Sequence, residues 1–201
     1  MGTREDILGA AARIMRTQGY ARATTKEIAR AAGFSEAALY KHFQDKTDIF
    51  LRVLEEQLPG LAPVLDRLDG RVGTGDVRRN LEEVVATAVE FYTDSFPIAA
   101  SVFSSQELLS AHRDRLRELG TGGPHTPQVL LARYLEAEQR LGRIDPSADP
   151  AAMAQLLLGA CFQQAFLAAF PGDPAGREQR ADLARRLVGG VLGATLGGAG
   201  S

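Results

Sequence analysis

Apolar residues in this chain recur at three- and four-residue spacing almost from end to end, and no stretch shows the every-second-residue alternation of a half-buried strand. That pattern restricts the fold to helices packed on helices. Ile7, Leu8, Ala11, Ile14 and Met15 make a first stripe that Gly19 ends, with Thr3 as its expected cap. Thr24 and Glu27 have the spacing of a capping box for a second helix whose inner face is Ile28, Ala29 and Ala32. Gly33 supplies a turn, Phe34 packs, and Ser35 caps a short third helix through Ala38, Leu39 and Tyr40. Asp45 opens a fourth helix carrying Ile49, Phe50, Val53 and Leu54, which Pro59, Gly60 and Pro63 bend or interrupt. Asp69 to Gly75 reads as a linker loop and Asp76 to about Asp94 as an amphipathic helix. Pro97 starts another helix and Gly120 to Pro127 is a loop; Val129–Leu141, Ala151–Phe170 and Gly176–Leu196 are further helices. The expectation is an all-α chain of about nine helices, divided into an N-terminal head at residues 1–48 and a C-terminal domain at 49–201.

Charge supports that division. The formal net charge of −2 argues against a polyanionic partner only as an average. Residues 1–46 hold eight basic groups against five acids, a net of +3, so the remainder carries −5. All three lysines, Lys26, Lys41 and Lys46, fall in this window. A segment with its own sign is a candidate contact surface for a polyanion.

Two short helices joined by a glycine turn form a helix-turn-helix, whose second helix enters the major groove of double-stranded DNA. Here that pair is Thr24–Ala32 and Ser35 to about Lys41. Ser35 caps the recognition helix, and Glu36 and Ala37 lie at its start, where a carboxylate accepts from a cytosine amino group and a methyl touches a thymine methyl. Thr25, Lys26, Tyr40, Lys41, His42 and Lys46 are the expected backbone contacts, the last beside a helix N-terminus that favours phosphate. Ile28, Ala29, Phe34, Leu39 and Phe43 are expected to form the small core of the head.

At these residues the chain resembles the TetR family of bacterial transcriptional regulators. The resemblance is carried by Ala23-Thr24-Thr25-Lys26-Glu27-Ile28-Ala29-Arg30-Ala31-Ala32-Gly33-Phe34-Ser35, then Leu39-Tyr40-Lys41-His42-Phe43 and Lys46, preceded by Gly19-Tyr20. It implies a homodimer with two DNA-binding heads on a pseudo-palindromic operator, and repression relieved when a small molecule binds the C-terminal domain. Arg4, Glu5 and Asp6 stand where a secretory signal needs an unbroken apolar core, so the chain is expected in the cytoplasm.

The C-terminal residues add to this. Ala151 to Phe170 is an uncharged run close to the length that spans a bilayer, but Gln155, Gln163 and Gln164, with Asp149 and Asp173 at its flanks, favour burial against other helices over a membrane. With Leu183, Leu187, Val191 and Leu192, and with Gly189, Gly193 and Gly197 four apart, the helices at 150–170 and 176–196 are expected to build a four-helix dimer interface. Phe91, Phe96, Phe103, Gln106, Tyr134, Phe162, Gln163 and Phe166 are the expected lining of a lipophilic effector pocket. Cys161 in an apolar helix is expected to be an inert small hydrophobe. His42, His112 and His125 lack metal-ligand spacing, and there is no nucleophile elbow or phosphate-cradling glycine loop; hence no enzyme, metal or cofactor is expected. The alternative is an all-helical protein-interaction module, or an enzyme, without DNA binding.

Overall fold

The structure is a computed structural model that describes residues 2–58, 60–120, 123–170 and 176–194. Pro59, Asp173, Gly197 and the last two residues of the expected 176–196 helix lie outside the described residues. Among those described there are ten α-helices, two short 3-10 segments and no strand. The chain divides into two compact units, Met1–Pro59 with Asp94–Thr121, and Gly60–Thr93 with Gly122–Ser201. The unit that holds the head therefore also takes in a second stretch of chain from the middle of the sequence.

The first unit begins with α1 (Thr3–Gln18), which turns Ile7, Leu8, Ala11 and Met15 inward. Its cap is Gly2 and not Thr3, because the Glu5 carboxylate reaches back to accept from the Gly2 amide at 3.3 Å. The next helices are α2 (Thr25–Ala32), α3 (Glu36–Leu39) and α4 (Lys46–Glu56). Ile28, Leu39, Phe43, Ile49, Phe50 and Val53 share one core with α1, joined by Ile98, Val102 and Leu108 from the second stretch. Ile98 belongs to α6 (Val77–Ala99) and Leu108 to α7 (Gln106–Glu118).

No helix starts at Pro97. α6 continues through it to Ala99 and only then tightens into the 3-10 segment Ala100–Ser104. Proline removes one N–H and crowds the carbonyl four residues back. So near the helix end little is lost, and the wholly buried Ile98 anchors the last turn.

In the second unit Pro63 lies in the first turn of a separate helix, α5 (Ala62–Asp69), where its missing N–H has no partner to lose. Pro127 does the same in α8 (Thr126–Arg140), so the loop expected to reach Pro127 ends before Thr126. With α9 (Pro150–Ala168) and α10 (Arg177–Ala194), these helices bury Leu81, Val85, Leu131, Leu135, Leu157 and Val188 in one core.

A small polar network lies inside that core. Glu138 on α8 is wholly buried, 3.0 Å from the Arg143 guanidinium, and it accepts from the Gly73 amide at 3.3 Å. Arg143 also donates to the Gly75 carbonyl, which fastens the 69–76 loop to α8. Gly73 is required there: its φ is +73°, and an added Cβ would meet Leu141 at 3.1 Å. Beside this pair the buried Tyr134 hydroxyl accepts from the Asn80 side-chain amide at 2.9 Å. Burial pushes the Tyr134 hydroxyl up to about 12, so it remains neutral. Replacing Tyr134 with Phe strands the Asn80 amide; urea denaturation should show a loss of about 1–3 kcal/mol, and an unchanged midpoint would remove Tyr134 from this network.

Candidate nucleic-acid interface

The head is built by caps. Thr24 accepts from the Glu27 amide at 3.2 Å while its own amide donates to the Glu27 carboxylate at 3.3 Å, which starts α2. The Thr24 amide and, at 3.0 Å, the Thr24 hydroxyl both donate to that carboxylate and hold Glu27 below the usual carboxylate range. Gly33 ends α2 in the left-handed region at φ +81°, ψ +20°, and the Phe34 amide returns to the Ala29 carbonyl at 2.9 Å. Ser35 then accepts from the Ala38 amide at 3.2 Å and opens α3. Asp45 caps α4 through the Asp48 amide at 2.8 Å, and Asp48 accepts in turn from the Gln44 amide at 3.1 Å.

Burial of Leu39 and Phe43 leaves Ser35, Ala37, Tyr40, Lys41 and His42 exposed, and Lys26 is exposed on α2. All nine expected DNA contacts lie between the start of α2 and the start of α4. Their side chains differ in freedom. The Thr25 hydroxyl donates to the Glu36 carboxylate at 2.6 Å, and the Tyr40 hydroxyl reaches Thr25 at 3.4 Å. Glu36 is half-buried and held, where the sequence places it as an open group at the helix start.

Lys46 is held as well. Its ammonium sits 4.0 Å from the centre of the Tyr20 ring and 3.4 Å from the Ala21 carbonyl, and partial burial lowers its pKa while Glu27 opposes that shift. The Tyr20 ring meets Phe50 edge-on at 4.8 Å, and its hydroxyl lies 3.4 Å from that of Thr47. Tyr20 and Thr47 thus pack around Lys46 at the first turn of α4, an arrangement sequence spacing gave no sign of. Only Gly19-Tyr20 in the motif hinted at Tyr20.

The opposite end of α4 is tied by two forked ion pairs. Glu56 receives Arg4 of α1 at 2.6 and 2.7 Å, and Glu55 receives Arg115 of α7 at 2.7 and 3.2 Å. The pairing holds Glu56 below the usual carboxylate range. A cleft of about 330 Å³ runs along α4 beside Thr47, Leu51, Arg52, Arg115 and Glu118.

The eight residues expected around an effector are dispersed. Phe96, Phe103 and Gln106 belong to the first unit, and Phe103 is 77% exposed. Phe91, Tyr134, Phe162, Gln163 and Phe166 belong to the second. There Tyr134 is wholly buried and spends its hydroxyl on Asn80, while Phe162, Gln163 and Phe166 are exposed on α9. Phe162 meets Tyr92 edge-on at 5.6 Å, and Tyr92 meets Phe91 at 5.1 Å. A cleft of about 420 Å³ in the second unit is lined by Asp76, Arg78, Arg143 and Leu192 with their neighbours. Neither cleft is lined by any of the eight.

α9 is long and apolar enough to cross a membrane by length and composition. It buries Met153, Leu157, Cys161 and Ala165 on one side and exposes Leu156, Phe162, Phe166 and Leu167 on the other. Burial pushes the Cys161 thiol up to about 12. At pH 8 it is therefore protonated, and a thiol reagent should label it in denaturant but not in the folded protein; rapid native labelling would contradict the burial.

The family model of bacterial regulatory proteins of the tetR family matches residues 7–53. The chain is 30% identical over 161 residues to the nucleoid occlusion factor SlmA of Vibrio atlanticus, covering 77% of this chain and 78% of that protein. It is 28% identical over 172 residues to the HTH-type transcriptional repressor Rv1474c of Mycobacterium tuberculosis, covering 77% and 88%. The structure of the transcriptional regulator FadR of Bacillus subtilis in complex with stearoyl-CoA superposes with a TM-score of 0.66 at 16% identity, covering 94% of this chain and 97% of that one.

Proposed function

The chain belongs to the tetR family of bacterial regulatory proteins, and on that premise we propose that it is a ligand-responsive repressor that releases its operator when a small lipophilic effector binds the C-terminal domain. The observation that carries this reading is the capped helix-turn-helix with Ala37 exposed on the short α3, Tyr40, Lys41 and His42 exposed in the turn that follows it, and Lys46 at the start of the next helix. Ala37 touches base edges, and Thr25, Lys26, Ser35, Tyr40, Lys41, His42 and Lys46 contact the backbone. A regulator of this kind works in the cytoplasm, where its DNA is. Repression accords with the relative named as a repressor, and a lipophilic effector with the acyl-CoA held by FadR on the same fold.

The second copy needed for a pseudo-palindromic site is supported by the apolar face of α9. Leu156, Phe162, Phe166 and Leu167 are 43–63% exposed in a single chain, an unusual run for a surface. Pairing α9 and α10 with those of a second copy buries them, and this use of the apolar helix needs no membrane. Phe162 and Phe166 then serve the interface and not the effector.

Release is read through α4. Its first turn carries Lys46 and its last turn is clamped by Arg4 and Arg115, so a shift of α7 pulls on the far end of the helix that holds the phosphate contact. Half-sites are read about 34–36 Å apart or at a multiple, and a displacement of a few ångströms breaks the simultaneous fit.

Binding of the full chain to its own upstream DNA at two salt concentrations tests the reading. A sequence-specific shift is expected at low salt, and its absence overturns the regulator function. Lys46→Ala and Tyr40→Phe should weaken binding to all sequences, whereas enlarging Ala37 should change the preferred sequence. Phe166→Glu should give a monomer by sedimentation and cost operator binding; a variant that remains dimeric places the interface elsewhere.

A further inference from the structure

Glu36 is the one acid at the start of the recognition helix, and its carboxylate is already engaged. The Thr25 hydroxyl has a single proton, and that proton goes to Glu36 Oε1 at 2.6 Å. Phosphate oxygens only accept, so this hydroxyl has nothing left to give a phosphate. It accepts only weakly from the Tyr40 hydroxyl, at 3.4 Å against about 2.5–3.0 Å for an ordinary O–H···O bond, so Thr25 is held to Glu36 while the Tyr40 proton can still turn to a phosphate. For Glu36 to accept from a cytosine amino group it would have to leave a charge-assisted hydrogen bond, the stronger class of such bonds. Ala37, by contrast, is exposed beside it with nothing to give up.

We propose that Glu36 is a positioning residue of the DNA interface: it fixes the Thr25 hydroxyl and lowers affinity for all DNA, while sequence reading at the start of α3 falls to Ala37. This rests on the regulator reading of the same surface. Thr25 then meets a phosphate through its backbone amide, which stands in the first turn of α2 and has no partner within the helix. The negative charge of Glu36 acts on every phosphate near it regardless of sequence, and salt screens it.

The test compares the full-length wild-type chain with E36Q, T25V and the double variant on a library of randomised half-sites at two salt concentrations. E36Q keeps the oxygen that receives Thr25 and removes the charge. Its binding to every sequence should tighten about two- to fivefold at low salt, the gain should shrink at high salt, and the base preference should stay as in wild type. T25V frees the carboxylate and should weaken binding to every sequence, and E36Q added to it should restore more affinity than it adds to wild type. A changed preferred base in E36Q, or strictly additive effects of the two substitutions, overturns the assignment of Glu36 alone. A wild-type chain that selects no sequence overturns the regulator reading together with it.

Discussion

α3 has four residues, too few for a helix to hold itself in water, so it exists only because Leu39 and the following Phe43 are buried. The exposed side of the helix-turn-helix depends on that burial. With Leu39 pointing inward, Ala37 on α3 and Tyr40 and Lys41 in the turn after it face outward, and the Ser35 and Gly33 turns set where the helix begins. The core that receives Leu39 and Phe43 is shared with Ile49, Phe50 and Val53, so α4 is set by the same packing that sets α3. Phe50 in turn meets the edge of Tyr20, whose ring face holds Lys46.

Polar contacts then refine what the apolar core has placed. Around the head they are short and local: caps at Thr24, Ser35 and Asp45, and the Thr25–Glu36 hydrogen bond. Along α4 they become long-range, linking residues 52 and 60 positions apart through Arg4–Glu56 and Arg115–Glu55. These pairs are partly exposed and add little to stability by themselves, but each fork fixes an orientation. In the second unit the Glu138–Arg143 pair is of another kind, since a wholly buried carboxylate is tolerated only when partnered.

The helices of the head were legible because their signals are local. A cap and its partner lie three residues apart, and the Gly33 turn needs only its own freedom at positive φ. Prolines were less legible, since the same residue ends one helix, starts another or sits within the last turn of a third. Pro63 and Pro127 open helices and Pro97 is absorbed by one, and packing around Ile98 decides the difference. The effector residues were the least legible. An aromatic at helical spacing looks the same whether it fills a core, as Tyr134 does, or faces outward, as Phe103 and Phe166 do.

By itself the sequence determined that the chain is built of helices and that a helix-turn-helix stands within a net basic segment near its N-terminus. Helical periodicity, caps and the sign of charge act over a few residues and need no knowledge of the rest of the chain. Only the tertiary structure decided that Glu36 is held by Thr25, that Lys46 rests on Tyr20, that residues 94–121 complete the unit bearing the head, and that the buried Glu138 receives the Gly73 amide. Each of these joins elements distant in sequence or brings two helix surfaces into register, and that register is set by how the apolar side chains between them pack.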